Sequence, residues 1–319
     1  MLIRETIRSA VRSLASNRVR TALTALGMII GVAAVLAVLA VGEGAQANVE
    51  QRIRALGTNL VYVRPSFARS RGVRTGASET LTRGDAEAIA TLPGVSAVAP
   101  EVSGSAQIRF REANQTASVY GVTAEYLRVR TLEVASGLGF NELDDQQRAR
   151  VAIVGANVAR DLFGGEQPLG QRLKIQGVAF RVIGVLAPKG DAGYTSPDDM
   201  VLVPLSTHQG VLFGQDHLSA ISVHIEDDAD AALVAERIAE LLRLRHRLRP
   251  DQEDDFDVRT QSEMLETFGA VTSTFTTLLG AVAAVSLLVG GIGIMNIMLV
   301  SVRERTREIG VRMAVGARR

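Results

Sequence analysis

Four histidines, His208, His217, His224 and His246, are the side chains best suited to metal or proton chemistry, and none has a partner at a useful spacing. No H-E-x-x-H stretch sets two imidazoles on one helix face, and without cysteine no Cys/His set can form, so no metal site is predicted. Acidic pairs at Asp144-Asp145, Asp198-Asp199, Asp227-Asp228 and Asp254-Asp255 lack the regular oxygen-ligand spacing of a calcium loop and read as turn and cap residues. No G-x-x-x-x-G-K-[ST] loop is present to cradle ATP phosphates, and no G-x-S-x-G to present a nucleophile. The expectation is a chain that is not itself an enzyme, with no catalytic residues and no cofactor. Any ATP hydrolysis comes from a separate subunit.

The one patterned run left lies after Val302: Arg303, Glu304, Arg305, Thr306, Arg307, Glu308, then Ile309, Arg312 and Met313, with Gly316 placed to end a helix. Glu304 with Arg307, or Glu308 with Arg312, can pair one turn apart, while Ile309 and Met313 make a small apolar ridge. Such a surface breaks no bonds, but it can dock a protein and pass on a displacement. The plainer reading is a solvated positive flank of a membrane helix.

Something rigid has to hold that ridge. The charge-free residues 267–302 would extend roughly 54 Å as a helix, against roughly 30 Å of bilayer hydrocarbon. Their first part is rich in hydroxyls (Thr272, Ser273, Thr274, Thr276, Thr277) and reads as a stalk, followed by an apolar span over 278–300. A second apolar segment, residues 21–42, lies between Arg20 and Glu43 and suits one more span. A cleaved signal peptide fits it less well, because some twenty residues precede it and the apolar run exceeds an h-region. In residues 1–20, Ile3, Ile7, Ala10, Val11 and Leu14 share one helical face and Arg4, Arg8 and Arg12 the other, the pattern of a helix lying on a membrane surface against lipid. Gly27 and Gly31 in the first span, and Gly290, Gly291, Gly293 and Asn296 in the second, are the candidate helix-packing positions.

Charge sets the orientation. Residues 1–20 and 303–319 each sum to +4, the apolar segments carry nothing and the chain is +1, so residues 43–266 sum to −7. Basic flanks stay cytoplasmic, which puts both termini inside and the central domain outside. An acidic ectodomain argues against nucleic acid as a partner.

Within it the pattern is mixed. Strands are expected at 59–64, 107–110, 117–122, 150–154, 172–175, 179–186 and 220–224, helices at 82–91, 156–162 and 230–247, and residues 254–259 lead back toward the membrane. Thr82 with Asp85 forms a capping-box pattern. Gln176-Gly177 is a tight hairpin turn, and the Gly/Arg/Ser-rich residues 66–78 read as a mobile loop. The fold class is thus an α+β membrane protein: two transmembrane helices flank an ectodomain with two β-α-β halves and an inserted, mostly-β subdomain at about 131–214.

The opening ALGMIIGVAAVLAVLAVGEGAQ, the phrase LGTNLVYVRP, the string LFGGEQPLGQRLKIQGVAFRVIGVLAPKG and above all the closing GGIGIMNIMLVSVRERTREIGVRMAVGARR resemble the MacB-type ABC permeases with a periplasmic core domain and an FtsX-like membrane domain. The resemblance runs the length of the chain. It implies a multi-pass protein of the bacterial inner membrane, working as a homodimer with a cytoplasmic ATPase, a periplasmic adaptor and an outer-membrane channel, and transmitting motion through the bilayer. It also implies that residues 303–319 face the ATPase. The family has two further spanning helices after GARR, so the expectation is a chain short of those two. Efflux or export is the first functional reading. The alternatives are a mechanotransducer that switches an envelope hydrolase or sensor, and a lipoprotein-releasing permease.

Overall fold

The structure, a computed structural model, describes residues 59–70, 73–77, 79–190 and 196–316, together with residues 26, 29–33, 35–38, 40–42 and 44. The surface helix expected over 1–20 and residues 317–319 lie outside the described residues, as do several side chains in the hairpin and the last helix. The chain divides into two compact units, residues 49–267 and residues 1–48 with 268–319.

In the first unit the chain runs β1 (Leu60–Pro65), β2 (Phe67–Ser70), β3 (Val73–Ala77), a helix Arg83–Ile89, β4 (Val95–Phe110), β5 (Ala113–Val122) and a helix Glu125–Val129. It continues through β6 (Val134–Gly137), a helix Glu142–Gln146, β7 (Val151–Val154), a helix Ala156–Phe163, β8 (Arg172–Ile175), β9 (Val178–Leu186) and β10 (Met200–Pro204). A helical turn Leu205–Thr207 and a π-helical turn His208–Phe213 lead to β11 (Ala220–Ile225), a helix Ala231–Arg245 and β12 (Phe256–Thr260).

Four strands, in the order β12-β1-β11-β4, form the part nearest the chain ends, every neighbouring pair antiparallel. Numbered along the chain they stand 4-1-3-2, the arrangement of two split β-α-β units. Helices Arg83–Ile89 and Ala231–Arg245 cover one face through Ile89, Val234, Ile238 and Leu242, packed on Val61, Val63, Ile221 and Val223. The capping box is present: the Asp85 carboxylate accepts from Thr82 N at 2.9 Å and from Thr82 Oγ1 at 2.7 Å.

β4 also enters a second part, which closes on itself and has β6 as an added edge strand on β9. β4 pairs with β5, β5 with β10, β10 with β7, β7 with β9, β9 with β8, and β8 again with β4, a ring of six strands. Alternation directs Ile108, Phe110, Val119, Leu173, Ile175, Phe180 and Val201 inward, and the helix Ala156–Phe163 adds Val158, Leu162 and Phe163 to the same cluster. Phe110 and Phe163 meet there with ring centroids 4.3 Å apart. The β8–β9 turn has Gln176 at φ 48° and Gly177 at φ 82°, the two positive values that a two-residue hairpin matching strand twist demands.

Two expectations are corrected. The inserted unit does not begin near residue 131: the ring already takes in β5 and the second half of β4, because β4 is 16 residues long and serves both parts. The parts have no seam, since all ten strands form one sheet and a third cluster, including Tyr62, Ala99, Tyr126, Ile153 and Leu202, is shared between them. The expected loop at 66–78 is instead a short antiparallel ribbon of β2 and β3.

In the second unit the described residues between 26 and 44 are helical, and the long helix that starts at Gln261 runs unbroken to Ala314, 54 residues. Leu278, Val282, Val285, Leu288, Ile292, Met295 and Leu299 on it are all exposed. Among the described residues no helix is long and apolar enough to cross a membrane. Side chains at 283, 286, 287, 294, 297 and 301 lie outside the described residues.

Candidate functional site

The charged run expected to contact a partner lies on the same helix as the apolar stretch, without a cap or break between them. Arg303, Glu304, Arg307, Glu308 and Arg312 are exposed along it, and Arg312 Nη2 donates to Glu308 Oε1 one turn back. The Thr306 hydroxyl donates to the Val302 carbonyl at 3.0 Å, so it is satisfied inside the helix. Met313, at 47% exposure, presents its side chain to solvent, as do Val311 and Val315. The side chains of Arg305 and Ile309 lie outside the described residues, so the ridge is described at Met313 alone of its two members. Gly316 stops the helix at φ 96°, with its N–H bonded to the Met313 carbonyl.

The packing candidates divide. Gly27 lies outside the described residues, whereas Gly31 is buried. A neighbour that spacing did not single out is tighter: a Cβ on Gly42 would come within 2.8 Å of Thr276 Oγ1, so the two helices touch there. Gly291 and Gly293 face open space, Gly290 is half-buried and Asn296 is exposed. Gly291 and Gly293 therefore pack on nothing described in this chain. The stalk hydroxyls of Thr267, Thr274, Thr276 and Thr277 each bond to the carbonyl four residues back, which leaves an outward surface less polar than composition implied.

Three polar joints in the first unit escaped sequence reading. His208 is fully buried and stacked on Phe213 at 4.4 Å, with the Val119 backbone the polar group that acts on its ring. Burial pushes it down to about 4. Its seat is cut by glycines: a Cβ on Gly121 would lie 2.3 Å from the His208 Cβ, and one on Gly104 would lie 2.6 Å from Phe213 Cζ. Glycine inside two paired strands, β4 and β5, was the available signal.

Arg130 stands over the rings of Tyr62 and Tyr126 at 5.4 and 5.7 Å, donates to Tyr62 Oη at 3.1 Å and lies 3.7 Å from Glu101. Burial works to lower its pKa, but the Glu101 carboxylate and the two tyrosines outweigh it and hold the cation. Burial also pushes the Tyr126 hydroxyl up. Asp85 is held low: burial alone would raise it, and bonds from Arg245, Thr82 and His246 reverse that. His246 Nδ1 meets Asp255 at 2.8 Å, tying the helix Ala231–Arg245 to the approach of β12.

The other histidines stand apart, His217 near Glu79 at 3.7 Å and His224 with Ser96 at 2.8 Å. Acidic pairs serve turns and caps: Asp144 closes a box with Asn141, and the Asp198 carboxylate accepts from the Lys189 and Gly190 amides. The arrangement is that of a joint, and nothing in it converges on a reacting atom.

Residues 21–241 match the family described as MacB-like periplasmic core domain. The chain belongs to that family. Residues 280–319 match the FtsX-like permease C-terminal family, so the MacB-like core leads into a segment of permease type, as the closing motif implied. A protein named macrolide export ATP-binding/permease protein MacB from Azoarcus sp. (strain BH72) is 44% identical over 98% of this chain and 47% of its own length. The protein of the same name from Bdellovibrio bacteriovorus is 41% identical over 99% of this chain and 49% of its own length. This chain thus spans about half the length of the curated relatives it matches. The crystal structure of the periplasmic region of MacB from Actinobacillus actinomycetemcomitans has the same MacB-like fold, with TM-score 0.59, 24% identity, and coverage of 70% of this chain and 98% of that one. The extracellular domain of the transporter YknZ from Gram-positive bacteria shares it too, with TM-score 0.53, 24% identity, and coverage of 63% and 100%.

Proposed function

We propose that this chain is permease sequence of a MacB-type ABC transporter, coupling ATP hydrolysis on a cytoplasmic ATPase to movement of the periplasmic ectodomain and so driving efflux across the envelope. The observation that carries the proposal is the unbroken helix Gln261–Ala314, which joins apolar stretch and charged run in one rod. The helix holds no proline and is continuous through Gly290, Gly291 and Gly293, the positions where it would bend most easily, so a push at Met313 and Glu308 is delivered along its axis as long as they stay helical.

In this reading residues 21–42 and 278–300 span the inner membrane, 267–277 form the stalk, and 1–20 lie on its cytoplasmic surface. Residues 43–266 are periplasmic, and 303–319 bear on the ATPase. Two copies act together with a periplasmic adaptor and an outer-membrane channel. Exposed Gly291, Gly293 and Asn296 suit close approach of further helices. The 319 residues hold no phosphate loop, which supports an ATPase outside them.

Reconstitution tests this. With the full-length gene product and its ATPase in proteoliposomes, spin labels on paired ectodomains should change separation on ATP binding. ATP turnover with unchanged label distances would overturn the proposal.

A further inference from the structure

We propose that the outer face of the six-stranded ring is a docking track for an extended acidic segment of a partner protein. Arg109 on β4 stands directly opposite Lys174 on β8, and two residues along the same strand Arg172 stands directly opposite Arg181 on β9. All four are exposed, while their strand neighbours Ile108, Leu173, Ile175 and Phe180 point into the ring, so the cations share its outer face.

Among the described residues none of the four forms an ion pair; Arg109 Nε donates to the Arg111 carbonyl at 3.0 Å. The Glu166 carboxylate is taken by Arg111 at 2.6 Å, and Glu112 lies in the β4–β5 turn, off the two pairs. Facing residues on β5 add no negative charge: Arg109 lies opposite Asn114, and Gln107 opposite Thr116.

Like charges directly opposite each other destabilise a strand pair, and here two such pairs stand on neighbouring rungs. Solubility alone is served better by mixed signs. A bound anion removes the repulsion, so the cost is recovered when the track is occupied.

Spacing decides what kind of anion. Cross-strand neighbours stand about 5 Å apart and alternate residues of a strand about 7 Å, so the four positions spread over about 12 Å. One phosphate cannot reach that set. Carboxylates on alternate residues of an extended peptide repeat at about 7 Å and can meet successive cations. A long polyanion is disfavoured by the ectodomain's charge of −7.

The test uses the full chain in detergent and a fluorescein-labelled peptide of alternating Glu and Ser, read by fluorescence anisotropy at low salt. Binding is expected with Kd of about 100 µM or tighter, weakening as salt rises. Arg172→Glu with Lys174→Glu turns both like-charge pairs into opposite pairs. This variant should melt at higher temperature yet bind at least about tenfold more weakly. Arg128→Glu, at an exposed pair with Glu125 elsewhere, should leave binding as it was. The proposal is overturned if the parent does not bind, or if the double variant binds equally well. Displacement of the peptide by inorganic phosphate or a heparin fragment at lower concentration than unlabelled peptide also overturns it.

Discussion

Glu308 and Arg312 stand one helical turn apart near the end of the long helix, joined at 2.5 Å with both side chains more than half exposed. An exposed pair of this kind is worth about 0.3–0.5 kcal/mol. Glu308→Arg should therefore shift thermal stability hardly at all. If the run docks an ATPase, the same change should cut ectodomain-dependent stimulation of ATP turnover at least about threefold, the equivalent of one lost surface contact. Melting curves and turnover on the same preparation separate the two effects.

Gly121 should tolerate no side chain. An added Cβ meets the His208 Cβ at 2.3 Å and Val102 Cγ1 at 2.8 Å, both in packed surroundings. Gly121→Ala is expected to destabilise the ectodomain by about 1–3 kcal/mol. At Gly165 no atom lies within 4 Å and only the φ of 96° resists a side chain, so Gly165→Ala should cost about 1 kcal/mol. Denaturant titration followed by circular dichroism orders the two.

His208 should make the ectodomain acid-sensitive. Its folded pKa of about 4 lies below the usual 6.5, so the unfolded chain takes up the proton first. The stability of the neutral, buried ring is complete above pH 6.5 and declines as pH falls toward 4, by about 3 kcal/mol in all. His208→Leu removes that component. The difference between parent and variant, measured from pH 7 to 4, should grow in the variant's favour as pH falls, whereas a constant difference would contradict the burial argument.

Locally written features were legible in the sequence. The Thr82–Asp85 box, the β8–β9 turn and the helix after Asp230 follow from caps, paired positive-φ residues and 3.6-residue spacing, all of which act within a few residues. The ring was not legible, because its closure rests on parallel pairings of β5 with β10 and β7 with β9, contacts between residues 30 or more apart in the chain. The expected strand at 107–110 is only the end of β4, whose earlier part contains Pro100 and Gly104, residues that weaken a strand pattern. In the charged run the charges and Gly316 were readable, and the Glu308–Arg312 bridge is one that spacing allowed. Gly42 was missed because a lone glycine at the end of an apolar run carries no periodic signal.

The charge split of the sequence predicts a topology. Protease protection on sealed vesicles, or reporter fusions, should place residue 150 outside the cytoplasm and residues 10 and 310 within it. Access to residue 150 from the cytoplasmic side would remove the basis of the proposed lever.

The most direct measurement of that lever is co-purification with the cognate ATPase, and stimulation of its turnover, by Met313→Asp and Arg318→Ala in the full-length gene product. Met313 is the exposed apolar side chain expected to be covered by the partner, and burying an unpaired carboxylate there costs several kcal/mol. Arg318→Ala removes one charge from outside the Ile309–Met313 ridge and is expected to cost at most about 1 kcal/mol. The account predicts that Met313→Asp loses both binding and stimulation while Arg318→Ala keeps them. If both variants bind and stimulate like the parent, residues 303–316 are a positively charged membrane flank and the helix carries no force.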